Sequence, residues 1–370
     1  MIKRSCVVVG IFLFLFSVLC LPSCAATDSE RTVDEMLDEF YETIPEQTNI
    51  SKDDDIIARI GFEALLSDVI NAFMGERSRV VRFFLLVFGL AVMMSIAGGL
   101  KDSSLQTGRG VSSAVEIGVC TVGAATVFTY MYTLCQTVRE SLVSLCDFFS
   151  LIIPIMTAVS ASSGAVATAG VHATNMNITL AVISRISVRI LMPIAFLLFS
   201  LAVIGVFSDG GVASVASGIK SFFYWGIGLL SAVSTAAIAM QSVVASAKDS
   251  ASLRAARYAA SGLIPIVGST VASALSTLAG GLAFAKSTIG ATSIVVILTL
   301  AIAPLLSLLL YRLAFSVTLS FLNFAGCTGG VRCFSAFRSA LDSLIAIYAL
   351  SIIVCILEIV IFMKSGVSVF

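Results

Sequence analysis

Histidine and tryptophan each occur once in 370 residues, proline occurs six times, and charged residues make up 12% of the chain. Soluble domains carry about 25% charge, so a water-soluble globule is excluded. A single imidazole leaves no material for His-based acid–base catalysis or a multi-histidine metal site. Lys and Arg total 22 and Asp and Glu total 22, a formal net charge of zero that removes the electrostatic footprint of nucleic-acid binding. Absent too are the GxxxxGK[ST] phosphate loop, HExxH, CxxC and the GxSxG elbow. The expectation is a non-enzymatic protein with no catalytic residue, cofactor or metal.

What is present is oil. Hydrophobic residues reach 58% and the mean hydropathy is +1.05. Beyond position 80, charges punctuate the chain at about the interval a membrane span requires, near 20 residues. The uncharged runs are Phe83–Leu100, Ile117–Val138, Ile190–Ser208, Ser221–Ala247, Tyr258–Ala285, Ser287–Tyr311 and Leu313–Val331. Two further runs contain one acid each, Ser141–Ala169 with Asp147 and Ser343–Met363 with Glu358. These runs are too long for barrel strands, and lipid satisfies no backbone polar group, so helices are required. The expected fold is an all-α polytopic membrane protein with eight or nine transmembrane or re-entrant helices.

The N-terminus has a different character. Lys3 and Arg4, the apolar run Cys6–Leu21 and small residues at Ser23, Ala25 and Ala26 form a secretory signal over residues 1–26. Leu21-Pro22-Ser23-Cys24 also resembles a lipoprotein box, with Cys24 as the residue to be lipidated. Residues 27–79 hold fourteen acidic side chains against five basic ones, an acidic extracytoplasmic helical segment that precedes a membrane domain over 80–370. In it Thr32 and Glu35 are spaced as a capping box, and Val33, Met36, Leu37, Phe40, Tyr41 and Ile44 share one helical face before Pro45 stops the pattern. A second amphipathic helix is expected from Ser51. The stripes have each other, the membrane surface or a partner to pack against.

With the start outside, alternating spans place Lys101, Arg109, Arg185, Arg189, Lys248, Arg254, Arg257, Arg312 and Lys364 in the cytoplasm, and Arg77, Arg79, Arg82, Arg139, Lys220, Lys286, Arg332 and Arg338 outside, nine against eight. Phe222-Phe223-Tyr224-Trp225 reads as an interface anchor. Cys327 and Cys333, beside Gly329-Gly330, read as buried thiols, and no disulfide framework is visible among nine cysteines.

Two elements read as broken helices. In Tyr258–Ala285, Gly262, Pro265 and Gly268 cluster, and Gly268, Ala272, Ser276 and Gly280 then recur every fourth residue, a small face for close helix packing. The other comprises Pro154 and the small-residue run from Ser160, including Gly164. Glu116, Asp147 and Glu358 lie within two turns of a run's end, where snorkelling is the cheaper reading. His172 has no evident partner.

The order of these features, and above all Arg254-Ala-Ala-Arg257-Tyr258-Ala259 leading into Ile264-Pro265-Ile266-Val267-Gly268, resembles the stage III sporulation protein AE family over essentially the whole mature chain. The resemblance implies a permease-like subunit of the mother-cell membrane complex that spans the gap to the forespore in endospore-forming bacteria. Its implied partners are ring-forming membrane subunits and a secretion-type ATPase. One departure is Val171-His172-Ala173-Thr174-Asn175, where the family pattern leads us to expect another proline. Structural scaffold and stand-alone secondary transporter are the alternatives.

Overall fold

A computed structural model describes residues 33–45, 62–103, 109–162, 166–204, 214–237, 239 and 268–364. The leader with Cys24, Thr32, Gly164 and the stretch carrying Arg254, Arg257, Tyr258 and Pro265 lie outside the described residues. Among those described there is no strand.

The first helix, α1 (Val33–Glu42), is the expected amphipathic one. Phe40 is buried, and Tyr41 and Ile44 pack half-buried against the main core. Pro45 follows two closing bonds, from the Thr43 and Ile44 amides to the Phe40 and Tyr41 carbonyls. Its partners are the chain's own α3 and α7, defined below.

The remaining elements are longer than the hydropathy runs suggest. They are α2 (Phe62–Ser103), α3 (Arg109–Ser162), α4 (Val166–Val182), a π-helical segment (Ile183–Leu191), α5 (Met192–Ile204), α6 (214–237), α7 (Gly268–Phe324) and α8 (Thr328–Lys364). Five stretches among the described residues are long and apolar enough to cross a membrane: Val69–Ile96, Gly118–Ser162, Ala169–Ile204, Phe284–Phe324 and Gly329–Met363.

This corrects the expected segmentation of eight or nine elements. Ile117–Val138 and the run beginning at Ser141 share α3, and Ser287–Tyr311 and Leu313–Phe324 share α7. Arg139-Glu140 and Arg312 interrupt hydropathy, yet both Arg and Glu are good helix formers and break no backbone. The charge boundary at 79/80 likewise falls inside α2, so it separates solvents and not folding units. Arg139, Arg185, Arg189, Lys286 and Arg312 all sit within helices and not in loops, which removes them from the loop count behind the orientation. Pro154 lies inside α3, which continues past it to Ser162, so the helix is not broken at this proline.

The helices form one bundle with a continuous core. α7 and α8 make an antiparallel hairpin whose turn is a Schellman motif: Gly326 has φ +71°, the Cys327 amide bonds the Leu322 carbonyl and the Gly326 amide bonds that of Asn323. Cys327 and Cys333 are buried free thiols there, and the Cys327 Sγ donates to the Met94 carbonyl of α2 at 3.4 Å. An aromatic chain then ties four helices. The Phe83 ring lies 4.3 Å from Tyr311 and 5.5 Å from Phe315, and Phe337 bridges Phe315 and Phe199. On α6, Phe223 points inward while Phe222 and Trp225 stack outside.

Prolines within helices set the local polar chemistry. Pro304 in α7 has no N–H for the carbonyl of Leu300, four residues back. The Ser141 hydroxyl of α3 reaches that carbonyl at 3.4 Å, and Tyr348 of α8 joins Ser141 at 2.7 Å and the Ala301 carbonyl at 3.4 Å. Neighbouring side chains thus cap the gap, as apolar surroundings demand. Pro193 follows directly on the π segment, whose wider turn makes room for a ring that would meet the carbonyl four residues back.

Ser141→Ala and Tyr348→Phe are each expected to destabilise the detergent-solubilised protein by about 1 kcal/mol, with a double variant well below the sum of the two. Unfolding midpoints of the four proteins check this; strict additivity would mean that the two hydroxyls do not share one network.

Candidate functional site: a buried polar centre

A helix in lipid exposes polar side chains only at a cost, so polar residues turned inward define where chemistry is possible. On α4, His172, Asn175 and Thr179 follow each other at intervals of three and four, hence on one face, and all three are buried. The facing element is α8, where Glu358 and Phe362 are one turn apart and fully buried. Lys286 of α7 is the third contributor, at 7% exposure.

Thr179 donates its hydroxyl proton to Glu358 Oε1 at 2.6 Å. The Lys286 ammonium stands 4.6 Å from the centre of the Phe362 ring, a cation–π arrangement that offsets part of its lost hydration. His172 meets the same ring edge-on at 6.1 Å between centroids. Asn175 keeps its amide Nδ2 without a hydrogen-bond partner among the described residues. About two turns further along, Ser187 of the π segment and Ser351 of α8 are 3.2 Å apart. The seam between α7 and α8 is tight here, because Gly290 stands where any Cβ would overlap Met363.

The centre therefore gathers a carboxyl, an amine, an imidazole and an amide donor inside a three-helix seam. It can bind or pass a proton or a small polar species. Among the described residues no group of three or more His, Cys, Asp or Glu side chains is placed to hold a metal ion.

Two expectations change. Glu358 does not snorkel: it is fully buried and its carboxylate accepts from Thr179 of α4. Lys286 is not a loop charge but an interior residue of α7. The usable signals were the solitary acid in Ser343–Met363 and the His172/Asn175/Thr179 spacing. Asp147, by contrast, is exposed. Gly268 is the first residue of α7, and Ala272, Ser276 and Gly280 lie along its first turns.

The description of stage III sporulation protein AE matches residues 50–366. The chain belongs to the stage III sporulation protein AE family. The match includes every helix from α2 to α8 and therefore the whole polar centre. Comparison with curated proteins and with solved structures returns no match. Family membership and five apolar helices together make this a sporulation-related multi-pass membrane protein.

Thr179→Val leaves the buried Glu358 carboxyl without its hydroxyl donor and is expected to cost about 1–3 kcal/mol. Thr179→Ser should recover most of it. Equal unfolding midpoints for the wild type and the Val variant would show that the hydroxyl contributes nothing.

Proposed function

We propose that this chain is the permease-like subunit of the sporulation channel complex that links mother cell and forespore, needed for forespore activity and endospore formation. It resides in the mother-cell membrane around the forespore, with its N-terminal segment on the extracytoplasmic side. The observation that supports this reading best is the buried polar centre. A subunit serving only as an anchor needs an apolar, well-packed interior, and replacing buried ion-forming groups by apolar ones commonly stabilises such interiors. Retaining Glu358, Lys286 and His172 in a buried seam fits a role in conduction.

The chain brings no engine for transport. Partners of the kind its family resemblance implies, ring-forming membrane subunits and a secretion-type ATPase, would supply assembly and energy. The chain then contributes the conduit and turns over no substrate.

Glu358→Gln and Lys286→Met, introduced at the native locus, are expected to leave co-purification of the complex unchanged while spore yield drops steeply. A pure scaffold predicts the opposite coupling, spore yield tracking assembly in every variant. Wild-type sporulation after deletion of the whole chain removes both readings.

A further inference from the structure

Contacts between helices fix which residues share one height along the bundle. Lys220 of α6 bonds Ser339 of α8 at 2.5 Å, and Arg312 of α7 pairs with Asp342 at 2.6 Å. Arg139 and Glu140 precede Ser141, which bonds Tyr348, and Arg185 and Arg189 flank Ser187, which bonds Ser351. Arg79 and Arg82 stand within about one turn of Phe83, whose ring packs on Tyr311 beside Arg312. These fall between about the levels of Ser339 and Ile353, about 21 Å of helix. The result is a charged belt around the middle of an otherwise oily bundle, with basic residues in excess.

On one side of the belt run Phe83–Leu100 and Ile117–Val138, 18 and 22 uncharged residues bounded by charges at both ends. At 1.5 Å per residue they measure about 27 and 33 Å, the thickness of a hydrocarbon layer. With those two runs in the hydrocarbon layer, the belt falls at its headgroup edge.

Within the belt is a cleft of about 280 Å³ lined by Arg79, Arg82, Thr129, Tyr130, Thr133 and Tyr311. Its charge is nearly resolved. Arg79 is held at 3.0 Å by both oxygens of Glu76, which leaves one formal positive charge, that of Arg82. Arg82 spends Nε on the Ser78 carbonyl and one bond of Nη2 on the Ser78 hydroxyl, which orients the guanidinium and leaves further N–H donors of its five. Thr129 and Thr133 give their protons to backbone carbonyls one turn back. The Tyr130 and Tyr311 hydroxyls add neutral donors on an aromatic wall.

We propose that this cleft binds a singly charged phosphodiester, the headgroup phosphate of an anionic phospholipid. One net positive charge matches one phosphodiester charge, the Arg82 guanidinium matches its oxygens, and the cleft stands at the end of the uncharged runs, beside which acyl chains would lie. Free inorganic phosphate shares the anion chemistry but carries more charge and has no tail.

The test uses the purified full-length chain in detergent, titrated with dioctanoyl-phosphatidylglycerol or inorganic phosphate while thermal unfolding is followed. Phosphatidylglycerol is expected to raise Tm, and Arg82→Gln to raise the concentration for half the effect at least about tenfold, the loss of one charge-assisted bond. Arg189→Gln, elsewhere on the belt, should respond as the wild type does. If Arg82→Gln fails to fold, Arg82→Lys, which keeps the charge but loses the fork, carries the same comparison. An unchanged titration in the Arg82 variant, or an equal loss in Arg189→Gln, overturns the site. Equal protection by inorganic phosphate overturns the lipid assignment.

Discussion

Internal satisfaction of polar groups is the constraint on which this bundle depends. Water is not available to mend a broken backbone bond in an apolar seam, so each irregularity must bring its own remedy. Pro304 opens one carbonyl and Ser141 with Tyr348 closes it. Pro193 is received by a π-helical stretch. Glu358, a carboxyl with no exposed surface, is met by Thr179. The serines and threonines of this oily chain are thus a distributed supply of short hydrogen-bonding arms, many of them bonded to the carbonyl one turn back, as Thr126, Ser200 and Ser316 are.

Charge is managed in two distinct ways. Around the belt, long arginine side chains face outward, and their pairs, such as Arg79 with Glu76, are exposed enough that each contributes little to stability. Inside, between α4, α7 and α8, the groups are few and enclosed. Burial of that kind is costly and is better explained by what the groups do than by how they hold the helices. The two features occupy different heights, because Glu358 and Lys286 lie toward the C-terminal end of α8 while the belt stops near Ile353. A polar species that entered from the belt plane would therefore cross an apolar stretch before meeting the centre.

Much of this was legible from residues alone. Low charge and high hydropathy dictate helices in lipid, the stripe ending at Phe40, Tyr41 and Ile44 marks α1 with Pro45 as its stop, and the Arg254–Gly268 stretch carried the family resemblance. What misled was equating charge with a break. Hydropathy reports which solvent a residue prefers, whereas helix continuity depends on backbone propensity, and Arg139-Glu140, Lys286 and Arg312 differ on those two scales. The polar centre was hidden for a related reason. Glu358 and Lys286 look like run ends when read along the chain, and only the antiparallel pairing of α7 with α8 brings those ends into one interior. His172 gains its neighbour Phe362 from 190 residues away, a separation no local pattern encodes.

The length of the helices has a mechanical consequence. α3 has 54 residues, about 81 Å from end to end, more than twice the depth of hydrocarbon it can occupy. Such a rod is a lever. Pivoting by about 5° at one tip swings the opposite tip by about 7 Å, more than a full helical pitch. A small push by a neighbouring subunit on the projecting portion would thereby arrive at the far portion as a large stroke, with no need for the packing in between to come apart.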